Sequence, residues 1–154
     1  MNNSLSKVFA SLLNDRLKTL VERTKVLGQI QYGGRAGKQG LDSMFVLRTI
    51  IEKSAGSGKT AEKDLSLAFV DLSKAFDKVP HDLLWEKLLK MGCHPNFVRA
   101  LQALYKDSHI RVLVNGHQTD KIFVKSGVKQ GCPLSPLLFA LFISYITHFL
   151  EKQY

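Results

Sequence analysis

Cysteine is scarce. The 154 residues hold two, Cys93 and Cys132, far apart and without CxxC spacing. No disulfide framework and no zinc site follows from such a pair, so a reducing, intracellular setting with no disulfide partner is expected. Long apolar runs are missing as well. The N-terminal MNNSLSKVFASLLNDRL has no basic leader ahead of an apolar stretch, which speaks against a signal peptide. Leu137 to Leu150 is short for a membrane span and carries Ser144, Thr147 and His148, the pattern of a buried helix; no membrane partner is expected. Acidic side chains are the minority, 13 against 22 basic, for a net charge of +9.

The hydrophobic content of 45% is that of a chain able to form a core, and 154 residues fit one domain or a piece of a larger one. Charge is uneven: +5 over residues 1–54, +1 over 55–107 and +3 over 108–154. A middle segment with Glu62, Asp64, Asp71, Asp77 and Asp82 thus lies between basic flanks. Such flanks favour a polyanionic partner, nucleic acid before an acidic membrane, with a merely soluble basic protein as the plain alternative. No basic cluster distinguishes nucleus from cytoplasm.

Leu5, Val8, Phe9, Leu12, Leu13, Leu17, Leu20 and Val21 recur at helical spacing, predicting an amphipathic helix that ends near Val26. The loop GGRAGKQG follows, with Gly33, Gly34, Gly37 and Gly40, and Asp42 opens a second helix through Ile51. Residues 55–63 read as a surface connection. Leu65–Leu72, LSLAFVDL, is nearly all apolar and predicts a central strand covered on both faces. His81 to Met91 reads as a helix with Gly92 as its stop, and Pro95 suits the first turn of the next. His109–Val114 and His117–Val124 flank Asn115-Gly116, a two-residue hairpin signal, and a long apolar helix closes the chain. The interspersed pattern predicts an α+β fold.

Asp71 stands in parity with Leu65, Leu67 and Phe69, so its carboxylate leaves an apolar layer. It either meets a cation such as Mg²⁺ or caps the turn DLSKAFD through the amides of Ser73 or Lys74. For Phe76 the residue pattern points to core packing, and for Asp77 to a cap or a pairing with Lys78 or His81. GGRAGKQG offers backbone amides with Arg35 and Lys38, either a phosphate grip or a surface loop. AGSGKT is not a phosphate-binding loop: the first glycine of that motif would fall at position 53, which is lysine, and a helix precedes it. The five histidines show no ligand spacing.

Two segments are more specific. AFVDLSKAFDKVPHDLLWEKL (Ala68 to Leu88) resembles the first catalytic motif of reverse transcriptases from LINE-type, non-LTR retrotransposons, and GVKQGCPLSPLLFALFI (Gly127 to Ile143) resembles their second palm motif. QYGGRAGKQGLDSMFVL (Gln31 to Leu47) is similar to their fingers motif QxGFRxGRSTxDAIxxL, and Ser6 to Leu17 to the helix before it. The resemblance implies an incomplete right-hand polymerase, fingers-like over 1–64 and partial palm with inserted helices and hairpin over 65–154. It implies Asp71 as the first metal-binding aspartate, with the Leu72 backbone carbonyl as a further contact. Phe76 would be the sugar gate that excludes a 2′-hydroxyl, Gln130 and Gly131 would line the nucleotide pocket, and Arg35 and Lys38 would lie near template or triphosphate. The implied partners are an RNA template, a DNA primer and a dNTP. The implied cofactor is Mg²⁺, two ions about 4 Å apart activating the primer 3′-hydroxyl and stabilising pyrophosphate.

The sequence departs from that pattern at Gly34, where Phe is usual, at Lys38 for Arg, and at Tyr145, where Asp or Asn is common. No ADD motif occurs. One aspartate cannot hold two divalent ions in catalytic geometry, so the expectation is a polymerase fragment inactive alone. The alternative is a non-catalytic basic nucleic-acid-binding module or a degenerate retrotransposon product. A strand and an apolar helix short of neighbours also predict marginal stability or self-association.

Overall fold

The computed structural model describes residues 4–35, 37–55, 65–106 and 108–151. Most of AGSGKT and of the expected surface connection therefore lies outside the described residues. Among the described residues five helices and a β-ribbon follow one another in the order α1 (Ser4–Thr24), α2 (Gly40–Ala55), α3 (His81–Lys90), α4 (Pro95–Lys106), β1 (His109–Ile110), β2 (Leu113–Val114), β3 (His117–Gln118), β4 (Ile122–Phe123) and α5 (Ser135–Glu151). The mixed α+β character matches the sequence expectation.

Four helices share one core. Leu17 and Val21 of α1, Leu84, Trp85 and Leu88 of α3, Val98, Leu101 and Tyr105 of α4, and Leu137, Leu138 and Leu141 of α5 bury together. Leu27, Val79, Val128 and Leu134 from the connections complete it. The apolar stripe of each helix forces this arrangement, because only mutual burial removes it from water. Residues with no such neighbour stay out. α2 buries none of its side chains, and Leu41, Met44 and Phe45 are exposed. In α5 the apolar character runs all round, so Tyr145, Ile146 and Phe149 face outward while Leu137, Leu138 and Leu141 face in.

Local signals set the helix ends. Gln39 donates its backbone N–H to the Asp42 carboxylate at 2.7 Å, half of a capping box at the start of α2. After α3, Gly92 adopts φ +88°, its N–H bonds Leu89 O and that of Cys93 bonds Leu88 O, both at 3.0 Å. This is a Schellman motif, and glycine meets its left-handed position without a Cβ penalty. Burial pushes the Cys93 thiol up, which keeps it unreactive.

Asn115 (φ +50°) and Gly116 (φ +81°) form the predicted two-residue turn, pairing Val114 with His117 and Leu113 with Gln118. Further down the ribbon His109 pairs with Phe123 and Ile110 with Ile122. The register has shifted by one residue between the two ladders, a bulge on the return limb. There the Thr119 hydroxyl accepts the Val112 N–H at 3.0 Å, replacing a backbone partner.

The expected central strand does not form. Residues 65–72 carry no ladder pairing, and Phe69 and Val70 are 80% and 87% exposed. A strand is stable only when its backbone groups find a neighbour. Among the described residues, paired β-structure is confined to the ribbon and a lone bridge between Pro80 and Ser126. High apolar content creates the demand for cover. It cannot provide the cover.

Candidate active site

The two palm-like segments meet. Residues 73–78 coil into consecutive turns in which Lys74 sits at φ +53° and its carbonyl accepts the N–H groups of Asp77 and Lys78, each at 3.1 Å. Against this coil lies Ser126–Val128. Gly127 N–H donates to Val79 O and Val128 N–H to Phe76 O, both at 2.8 Å, and the Ser126 hydroxyl donates to Asp77 O at 3.1 Å. His81 Nε2 donates to Gly127 O at 2.8 Å. The contact is close enough to demand glycine: a Cβ on Gly127, at φ +93°, would stand 2.9 Å from both Cα and O of Asp77.

Phe76 and Gln130 are drawn together by this lock. The Phe76 ring stacks on Phe139 of α5 with centroids 4.8 Å apart and planes 19° from parallel. It packs against the core while remaining half-buried, so the core role read from its residue type is real. Gln130 donates from Nε2 to Asp77 Oδ1 at 3.3 Å. For Asp77 the expectation is a cap or a pairing with Lys78 or His81. Asp77 pairs with Gln130 instead, because His81 is turned toward Gly127 O. Gly131 follows at φ +74° in the turn closed by Cys132 N–H on Lys129 O.

Asp71 and Leu72 precede the coil and are both exposed. Their carboxylate and carbonyl oxygens are donors of the type Mg²⁺ prefers. Among the described residues no group of three or more His, Cys, Asp or Glu is gathered to hold an ion. The donors among the described residues therefore do not fit a two-ion centre.

Arg35 and Lys38 hold their own loop together. Arg35 donates from Nη1 to Gly28 O at 3.1 Å and lies 3.5 Å from the Glu22 carboxylate, its side chain 17% exposed. The Lys38 ammonium donates to Gln29 O and stands 4.6 Å from the centre of the Tyr32 ring. The loop reaches α5: a Cβ on Gly34, at φ +73°, would lie 2.8 Å from Pro136 O and 3.2 Å from the Ala140 methyl. Installing the family's usual residue by Gly34→Phe should therefore lower stability by about 1–3 kcal/mol, read as a drop in thermal midpoint. An unchanged midpoint would mean that the loop does not seat on α5.

Residue type alone assigns no role to Gly127 or Lys129. Lys129 donates to Leu104 O at the end of α4 and lies 5.3 Å from the Tyr105 ring centre, and burial pulls its ammonium below the usual lysine range. A lysine immediately before the Gln-Gly pair was the available signal, but a surface charge reads the same in sequence.

The whole chain, residues 1–154, matches the family profile described as reverse transcriptase (RNA-dependent DNA polymerase). The chain belongs to the reverse transcriptase family. It is 32% identical over 149 residues to the transposon TX1 uncharacterized 149 kDa protein of Xenopus laevis, covering 96% of this chain and 11% of that protein. A probable RNA-directed DNA polymerase from transposon BS of Drosophila melanogaster is 28% identical over 91% of the chain and 15% of its own length. The RNA-directed DNA polymerase from mobile element jockey of the same fly is 27% identical over 92% and 15%. Its homologues are non-LTR retrotransposon reverse transcriptases, and this reverse transcriptase chain spans roughly a tenth to a sixth of the length of these three. Among its described residues no helix is long and apolar enough to cross a membrane.

Proposed function

We propose that this chain is the fingers-like part (1–64) and the first part of the palm (65–154) of an RNA-directed DNA polymerase. One observation carries the reading: the Phe76–Asp77 turn and the Gly127–Gln130 segment, about fifty positions apart, are bonded into a single cluster. In this reading Asp71 with the Leu72 carbonyl contributes to a Mg²⁺ site, Phe76 meets the sugar of the incoming dNTP, and Gln130 and Gly131 border its pocket. Arg35 and Lys38 shape the loop that approaches template or triphosphate. Two-metal nucleotidyl transfer to a primer 3′-hydroxyl on an RNA template then needs further carboxylates beyond those gathered here.

The 154 residues alone are accordingly expected to be inactive in primer extension with Mg²⁺ or Mn²⁺. Joined to a polypeptide carrying the rest of a palm, they should extend a primer. Asp71→Asn should then cost on the order of a thousandfold in rate while leaving nucleic-acid affinity unchanged. Asp71-dependent incorporation by the chain alone would overturn the inactivity. A joined enzyme indifferent to Asp71→Asn would favour the non-catalytic binding module or degenerate product.

A further inference from the structure

A groove of about 660 Å³ opens between α3, α4 and the return limb of the ribbon. It adjoins the cluster around Phe76 and Gln130 only through His81, whose ring lines the groove and whose Nε2 bonds Gly127 O. Its floor includes Trp85, which is nearly buried and meets Tyr105 edge-on at 5.5 Å. Among the described residues that line it, Arg99, Lys106 and Lys125 stand against one carboxylate, Asp82. Phe123, 60% exposed, presents an aromatic ring to the same space. Among the described lining residues three cations thus face one anion, a positive rim beside an exposed aromatic ring.

We infer that this groove binds single-stranded nucleic acid, with Arg99, Lys106 and Lys125 on successive phosphates and an unpaired base stacked on Phe123. Two features favour this ligand over a small anion or a duplex. Arg99 and Lys106 lie two turns apart on α4, about 10 Å along its axis, and Lys125 follows β4, so the three cations do not converge on one point. A stacking platform serves only a base that is not already stacked in a helix. Arg99 donates from Nη2 to Asn96 Oδ1 at 2.6 Å, which orients the guanidinium and leaves its other donors for phosphate. The inference goes beyond the polymerase reading and does not depend on it: Asp71→Asn should leave this binding unchanged.

Trp85 is the only tryptophan of the chain, so its fluorescence reports on this groove directly. A short fluorescein-labelled oligouridylate added to the full chain should change Trp85 emission and saturate. The logarithm of the binding constant should fall with the logarithm of salt at a slope of about −2, as expected for three phosphate contacts on a single strand. Lys106→Glu with Lys125→Glu should weaken binding at least about tenfold. Arg16→Glu with Lys18→Glu, the same charge change on the exposed face of α1, should weaken it far less. Phe123→Ala should lose about tenfold through stacking, with Phe123→Tyr restoring it. Thermal melts check that each variant is folded, and the single Lys125→Gln replaces the double reversal if that fails. Equal losses from the two charge-reversal pairs would overturn the inference, as would saturation without a change in Trp85 emission. Competition by inorganic polyphosphate or a blunt duplex as effective as the oligouridylate would also overturn it.

Discussion

Gly127→Ala is expected to unfold a large fraction of the chain. At φ +93° a side chain is strained whatever the space, at a cost of about 1–2 kcal/mol. The new methyl would also stand 2.9 Å from Asp77 Cα and O and 3.0 Å from Phe76 O. These are backbone atoms, held by the hydrogen bonds of Gly127 to Val79 and of Val128 to Phe76, so they cannot swing aside as a flexible side chain would. Separating the strands of contact would break those bonds and the Ser126 and His81 bonds beside them. The sum is about 3–4 kcal/mol, a large share of what a domain of this size possesses. Denaturant melts followed by Trp85 fluorescence would show it, and a loss below about 1 kcal/mol would mean that the two segments are not locked as described. Because the same lock seats Phe76 and Gln130, any polymerase assembled with this variant should lose nucleotide affinity as well as stability.

Leu88→Ala should cost about 2–5 kcal/mol. Leu88 is wholly buried where α3 meets α4 and α5, and its carbonyl accepts the Cys93 N–H that ends α3. Truncation leaves a void bordered by three helices whose spacing is set by other contacts, so the gap closes only in part. Leu89→Ala, one position on and exposed, is the matched control and should change stability by less than about 0.5 kcal/mol. Equal effects from the two would contradict the placement of the core. With α2 and residues 65–72 adding no buried side chain, the margin available to absorb the Leu88 loss is narrow.

Helices, their caps and the hairpin turn were legible in the chain because each depends on residues near one another. Period and capping chemistry predict α1, α3, α4 and α5, and Asn115-Gly116 needs only its own positive φ angles to reverse the ribbon. Leu65–Leu72 failed for the opposite reason. Its apolar run states that cover is wanted, yet whether a strand exists depends on a neighbour elsewhere. The same division runs through the site. Family-like motifs singled out Asp71, Phe76, Gln130 and Arg35 from their order and spacing. Sequence gave no means of knowing that Asp77 would turn to Gln130, or that Arg35 and Lys38 would bind the carbonyls of Gly28 and Gln29.

What the amino-acid order settled was therefore local and chemical: which segments coil, where they stop, which family the motifs resemble, and that the surface is positive. What tertiary structure decided was every partnership across long separations. Gly127 became indispensable only when it came to lie on the Asp77 backbone, and Gly34 only against Pro136. Arg99, Lys106, Phe123 and Lys125 became one groove only when α4 and the ribbon folded beside each other. A glycine, a lysine or a phenylalanine carries the same propensities wherever it occurs. Its role depends on what the fold brings within a few ångströms, and that proximity comes from burying the apolar faces of α1, α3, α4 and α5 together.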